Sequence, residues 1–199
     1  KECKVSESEI KDCVERVTER EFSSPAVIVG EKEKNIMFWE TPLYTAECIY
    51  HQLPSTENEM CGDCFDSFYD GRGNFVSVLS DGMGTGGRAA VDGAMASGLM
   101  TRLLKAGFGY DCSLSILSSA MLFKSTDESL STVDVASLDL FSGRLDMLKA
   151  GAAPTIVRRA GRCSVAKSTS LPVGILREVG FDKATIKLKA GDIILMMSD

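Results

Sequence analysis

Asp63, Asp81, Gly82 and Asp199 have the residue types and placement for oxygen-only metal chemistry. Asp81 closes the run Phe75-Val-Ser-Val-Leu-Ser-Asp81, and Gly82-Met-Gly84-Thr-Gly86-Gly87 follows it. A strand that stops at Asp-Gly sets one carboxylate and one bare carbonyl at the same sheet edge, because glycine lets the main chain approach a ligand closely. A hard cation wants that: oxygen ligands and little side-chain bulk. Asp63 opens a second strand-like run in Met60-Cys-Gly-Asp-Cys-Phe65, and Asp199 closes a third, Asp192-Ile-Ile-Leu-Met-Met-Ser-Asp199. Asp70-Gly-Arg-Gly-Asn74 reads as a hairpin turn. A hairpin returns its far ends to one another, so Asp63 and Asp81 are expected as neighbours. Three carboxylates at strand ends suit Mg²⁺ or Mn²⁺. Two such ions ~3.5–4 Å apart lower the pKa of a shared water and clamp an in-line displacement at phosphorus.

Other chemistries lack their parts. The single histidine, His51, leaves no basis for His-rich metal sites and argues against a Ser-His-Asp relay. No His-Cys pair precedes an arginine at phosphocysteine spacing. Gly82, Gly84 and Gly87 match a dinucleotide fingerprint, but the chain beyond lacks the parallel βαβ partner that fingerprint needs. Cys61 and Cys64 form a lone Cys-x-x-Cys with no second pair of zinc ligands, and read as small, half-buried side chains. With 199 residues, 44% hydrophobic content and a net charge of −6, the chain is expected to be globular. Neither nucleic acid nor an anionic membrane surface is an expected partner. Seven cysteines with no leader segment ahead of them predict reduced thiols and a cytoplasmic setting. No apolar run approaches the ~20 residues of a membrane span.

The elements that must position these residues follow from periodicity. Residues 1–52 are expected as a lead-in. A helix runs from Ser6/Ser8 to about Arg20, followed by strands at Ala26–Val29 and Asn35–Trp39 and an extended run over Leu43–Leu53. Residues 53–199 form the main domain. Strands Phe65–Tyr69 and Phe75–Ser80 lead to a helix over Gly87–Lys105, with small residues at Ala90, Ala94, Ser97/Gly98 and Thr101 that suit close packing. A second helix over Ser113–Phe123 is expected to be N-capped by Asp111. Thr132–Leu140 slips phase at Ala136-Ser137, which predicts a bulge. Asp134 and Asp139 on that strand are expected to face solvent or to support the site from behind. Short strands with tight turns then argue an antiparallel meander. The expected fold class is α+β, with two packed antiparallel sheets flanked by helices in an α-β-β-α sandwich.

Gly62-Asp63, Ser80-Asp81-Gly82-Met83-Gly84 before a helix, Leu171-Pro-Val-Gly174 and Gly191-Asp-Ile-Ile-Leu-Met-Met-Ser-Asp199 stand in the order found in metal-dependent protein phosphatases of the PPM (type 2C) family. Ser131-Thr-Val-Asp134 and Leu148-Lys-Ala-Gly-Ala-Ala-Pro154 make the chain resemble most the branch of stage II sporulation protein E phosphatase domains. The resemblance runs from about Asp63 to Asp199. It implies that Asp81 bridges two Mn²⁺ or Mg²⁺ ions and that the Gly82 carbonyl joins one. It further implies that Asp63 contributes directly or through water, that Asp199 ligates a metal, and that Asp63 and Asp81 are the catalytic carboxylates. It implies hydrolysis of phosphoserine, by metal-bound water, on a phosphorylated anti-anti-sigma factor. A homodimer is compatible with it, as is a place on the cytoplasmic side of a larger membrane protein. The helix pair matches the family's regulatory switch element. The family has one more metal-ligating Asp downstream, so the domain is expected to be incomplete at its C-terminus. The alternative function is a non-catalytic partner-binding module on the same fold.

Overall fold

A capping box starts the first helix of the computed structural model. The Ser6 hydroxyl accepts from the Glu9 backbone, and the Glu9 carboxylate accepts from the Ser6 N–H at 2.8 Å. The structure describes residues 5–30, 33–53, 60–124, 129–177 and 179–198. Asp199, one of the four expected metal-site residues, lies outside them. The chain divides into two units, Lys1–Leu43 and Tyr44–Asp199. In the first, α1 (Glu7–Thr18) ends at Glu19 in the left-handed region, and β1 (Ala26–Val29) pairs antiparallel with β2 (Lys34–Met37). None of the α1 residues is buried.

The second unit begins with Tyr44–Leu53, expected as an extended run. No strand forms there. The segment is held by single bonds instead: the Tyr44 N–H to the Leu140 carbonyl, and Gln52 Nε2 to the Asp63 carbonyl at 2.7 Å. Then come β3 (Asp63–Tyr69), β4 (Asn74–Asp81), α2 (Gly86–Lys105), α3 (Tyr110–Lys124), β5 (Val133–Asp139), β6 (Arg144–Ala150), β7 (Thr155–Arg159), β8 (Arg162–Ala166), β9 (Asp182–Lys187) and β10 (Ile193–Leu195). One sheet has the order β3-β4-β5-β6-β9 and the other β10-β7-β8, with every pair antiparallel. The expected meander therefore holds through β6 and then breaks. The chain crosses to the second sheet at β7, returns at β9 and crosses again at β10.

Alternation sorts the side chains into two cores. Val76, Val78, Val133, Val135 and Leu148 join Met100, Leu114 and Met121 under α2 and α3. Phe75, Ala136, Leu138, Leu145 and Met147 face Val157 and Ile194 of the second sheet. This double burial corrects the expected bulge. The register of β5 with both neighbours runs unbroken through Ala136 and Ser137. The strand looks out of phase only because both of its faces are apolar.

The helices differ from expectation in detail. The buried face of α2 is Ala89, Asp92, Gly93, Ala96 and Met100, with Ser97 and Thr101 kept from the expected face and Ala94 exposed. Helix α3 starts at Tyr110, so Asp111 lies inside the first turn and is not a cap. There its charge suits the helix dipole, and it accepts from Lys183 at 2.8 Å.

Candidate metal centre

The turn after β3 sets the site. Asp70 Oδ1 accepts from the backbone N–H of Arg72 and of Asn74, each at 2.8 Å, and Oδ2 accepts from Asn74 Nδ2. This closes the hairpin in one register, which runs from Tyr69 opposite Phe75 to Asp63 opposite Asp81. Directly opposite residues share a face. Here that face is the one turned to the second sheet, since Phe75 on the same side of β4 packs there. Asp63 and Asp81 thus meet as the hairpin argument requires.

Backbone packing draws Gly82 into the same corner. A side chain on Gly62 would stand 2.8 Å from the Gly82 carbonyl oxygen and 3.4 Å from Asp81 Oδ1. Those two oxygens therefore converge on a space that only glycine leaves open. The Gly82 N–H donates to the Gly62 carbonyl at 3.1 Å. Helix α2 presses from behind, and a Cβ on Gly82 would lie 1.9 Å from the Ala89 carbonyl oxygen.

Hydroxyls that sequence reasoning missed fix the Asp81 backbone. The Asp81 N–H donates to Thr132 Oγ1 at 3.0 Å, and its carbonyl accepts from the Thr132 N–H and Ser131 Oγ, each at 2.8 Å. Ser80 Oγ lies 2.7 Å from Ser131 Oγ, and both residues are fully buried. Ser131 also exchanges backbone bonds with Val173, which gives Leu171-Pro-Val-Gly174 its structural task.

Asp63 Oδ2 accepts from Ser198 Oγ at 2.8 Å and from the Cys61 thiol at 3.4 Å, both neutral donors. Burial first, then nearby Cys64, Cys61 and Asp63, push the Tyr50 hydroxyl up from its ordinary range. Cys61 and Cys64 are half-buried free thiols. His51 lines a cavity of about 850 Å³ between the sheets, together with Tyr44, Phe65, Leu79, Leu188 and Met196.

Asp134, expected at the surface or behind the site, is buried, with Lys149 Nζ 2.5 Å from its Oδ2. Burial pushes its carboxyl up against the opposing pull of Lys149 and Thr155. Asp139 instead accepts from the Phe141 N–H and Ser142 Oγ at the next turn.

The arrangement fits a divalent hard cation. Two carboxylates directly opposite one another on paired strands offer oxygen ligands from one face, beside the Gly82 carbonyl. Among the described residues no group of three His, Cys, Asp or Glu side chains is close enough to form a closed cage. Mg²⁺ does not need one, since it keeps several waters and takes one or two carboxylates.

The fold is that of the PP2C-type phosphatases. The solved PP2C phosphatase domain and regulatory-domain fragment of the cell-fate determinant SpoIIE from Bacillus subtilis is similar at a TM-score of 0.75 and 24% identity. That likeness covers 98% of this chain and 59% of the other. RsbX, solved in complex with magnesium, is similar at a TM-score of 0.57 and 17% identity, over 71% of this chain and 68% of its own. Stage II sporulation protein E of Bacillus subtilis (strain 168) is 30% identical over 138 residues, which are 69% of this chain and 17% of that protein. The model of the stage II sporulation protein E family matches residues 71–199, and the chain belongs to that family. Asp81 and Gly82 fall inside the match and Asp63 before it. Among the described residues no helix is long and apolar enough to cross a membrane.

Proposed function

We propose that the second unit is the catalytic part of a metal-dependent protein serine phosphatase. Its substrate is phosphoserine on an anti-anti-sigma factor, met on the cytoplasmic side. The observation that carries this reading is the register of Asp63 with Asp81, beside a Gly82 carbonyl that points into the same glycine-lined space. Asp63, Asp81 and the Gly82 carbonyl would hold Mn²⁺ or Mg²⁺, and Asp199 would add a further carboxylate. When bound, such ions supply Lewis acidity, lowering the pKa of water and neutralising phosphoryl oxygens. The chain's own part is orientation. Ser131 and Thr132 hold both sides of the Asp81 peptide, while Ser198 and Cys61 aim Asp63. Magnesium in the related RsbX structure and membership of a sporulation family support the metal and the setting.

The test is phosphate release from a phosphorylated anti-anti-sigma factor by the full-length protein, with Mn²⁺ or with chelator. Asp81→Asn should reduce metal-dependent release by at least on the order of 100-fold, since even outer partners of ligands are worth 10–100-fold. Its circular dichroism should match the wild type. Wild-type rates in a folded Asp81→Asn protein would overturn the reading. Tight substrate binding without turnover in the wild type would favour the partner-binding module instead.

A further inference from the structure

Lys149 is the largest fully buried side chain among the described residues, and it stands one residue row inward from Asp81 and two strands across the sheet. On the face turned to the second sheet, Asp81 is followed inward by Leu79, which lies opposite Asp134 on β5; Asp134 in turn lies opposite Lys149 on β6. One such row is two residues, about 6–7 Å along the strand.

The contacts of this pair cross between sheets. Lys149 Nζ donates to Asp134 Oδ2 at 2.5 Å and to the Ala153 carbonyl at 2.7 Å, in the crossover that leads to β7. Thr155 Oγ1, on the first residue of β7, donates to the same Asp134 oxygen at 2.9 Å. Asp134 and Lys149 are each 1% exposed and Thr155 is fully buried. Asp134 Oδ1 is buried with no hydrogen-bond partner among the described residues. A buried ion pair with one orphaned oxygen is a poor source of stability, and an apolar pair of similar volume often packs as well or better. What the ions add is direction.

That direction reaches the metal edge. Strand β10 pairs with β7 through Leu195 opposite Ile156, the residue after Thr155. Three residues beyond Leu195, Ser198 donates to Asp63 Oδ2. The offset between the sheets at Thr155 therefore sets where Ser198 meets Asp63. On the other side, the Lys149 carbonyl accepts from Ser170 Oγ at 2.9 Å, and the chain from Ser170 reaches Val173, which bonds Ser131 beneath Asp81.

We propose that Asp134, Lys149 and Thr155 form a charged clasp between the sheets, whose members are positioning residues for the Asp63–Asp81 edge. This rests on the metal-site reading above. The clasp acts by fixing the sheet offset, touching neither metal nor substrate.

The test separates packing from positioning in the full-length protein, by Mn²⁺ binding (free-ion electron paramagnetic resonance) and thermal unfolding. Lys149→Met alone should lower the melting temperature, because it strands the Asp134 charge. The double variant Asp134→Leu with Lys149→Met should recover most of the melting temperature. It should still need on the order of 10-fold more Mn²⁺ for half-saturation, the scale of a lost outer partner. Wild-type Mn²⁺ binding by the folded double variant would overturn the clasp and leave the metal site standing. If the double variant does not fold, Thr155→Val decides: weakened Mn²⁺ binding supports the clasp, and unchanged binding overturns it. A wild-type protein that binds no Mn²⁺ would overturn the metal-site reading, and the clasp's role with it.

Discussion

Asp182 gathers the start of the 168–174 segment around one carboxylate. Its Oδ2 accepts from the backbone N–H groups of Thr169 and Ser170 and from Ser168 Oγ. Those donors stabilise the ionised form, with the Thr169 and Ser170 backbone bonds contributing most, and lower its pKa from 3.8 to about 2. A carboxyl depressed on folding adds stability above its unfolded value, and that stability is lost as pH falls through the folded value. The window is therefore from about pH 4 to about pH 2. Asp182→Asn should be less stable than wild type at pH 7, and the gap should close across that window. Urea unfolding at stepped pH checks this. A constant gap down to pH 2 would mean that the bonds are not made to the charged form.

At the scale of elements, α2 reaches the candidate metal edge because Gly62, Gly82 and Gly93 carry no side chain. A Cβ on Gly93 would stand 2.0 Å from the Gly62 carbonyl oxygen, and rigid backbone surrounds it. Gly93→Ala should cost about 1–3 kcal/mol as overpacking and disturb the Gly62–Gly82 contact. Gly98, five residues on in the same helix and on a different face, has open space at its Cβ. Gly98→Ala should gain roughly 0.5–1 kcal/mol from helix propensity. Denaturant unfolding of the pair reads both signs. The sequence made α2 visible through its length and its glycine stop, but not its rotation. The small residues at Ala94 and Gly98 suggested one face, whereas contact with Gly62 demands Gly93 inward. The Asp63–Asp81 pairing was legible because Asp70-Gly and Gly-Asn74 mark the turn and residues can be counted back from it. Ser131 and Thr132 were not legible as supports, since a hydroxyl that replaces a ladder acceptor has no pattern of its own. The solvent-facing alternative for Asp134 fails for a related reason: alternation says which face a residue is on, not whether a second sheet covers that face.

For the whole molecule, the proposed site makes stability depend on metal. A cation that binds only the folded form stabilises it by mass action, about 2.7 kcal/mol at a hundred times its dissociation constant. The melting temperature should rise with Mn²⁺ and fall back with chelator, and Asp81→Asn should show neither change. Differential scanning calorimetry of both proteins makes the comparison. An equal rise in the variant would place the cation elsewhere on a chain whose net charge is −6. The shift measures binding alone, so it tests the site independently of any substrate.

The Asp70 turn works as a counter. It lies seven residue pairs from the edge where Asp63 meets Asp81, and it touches neither. Strand side chains alternate, so one residue added between Asp70 and Asn74 that slips the pairing would turn Asp63 toward the helices. Arg72 in that turn is exposed, and its identity is free to drift. The length of the turn is not. Among descendants of this sequence, this loop should tolerate spelling changes and reject insertions, although by position it belongs to the outer surface.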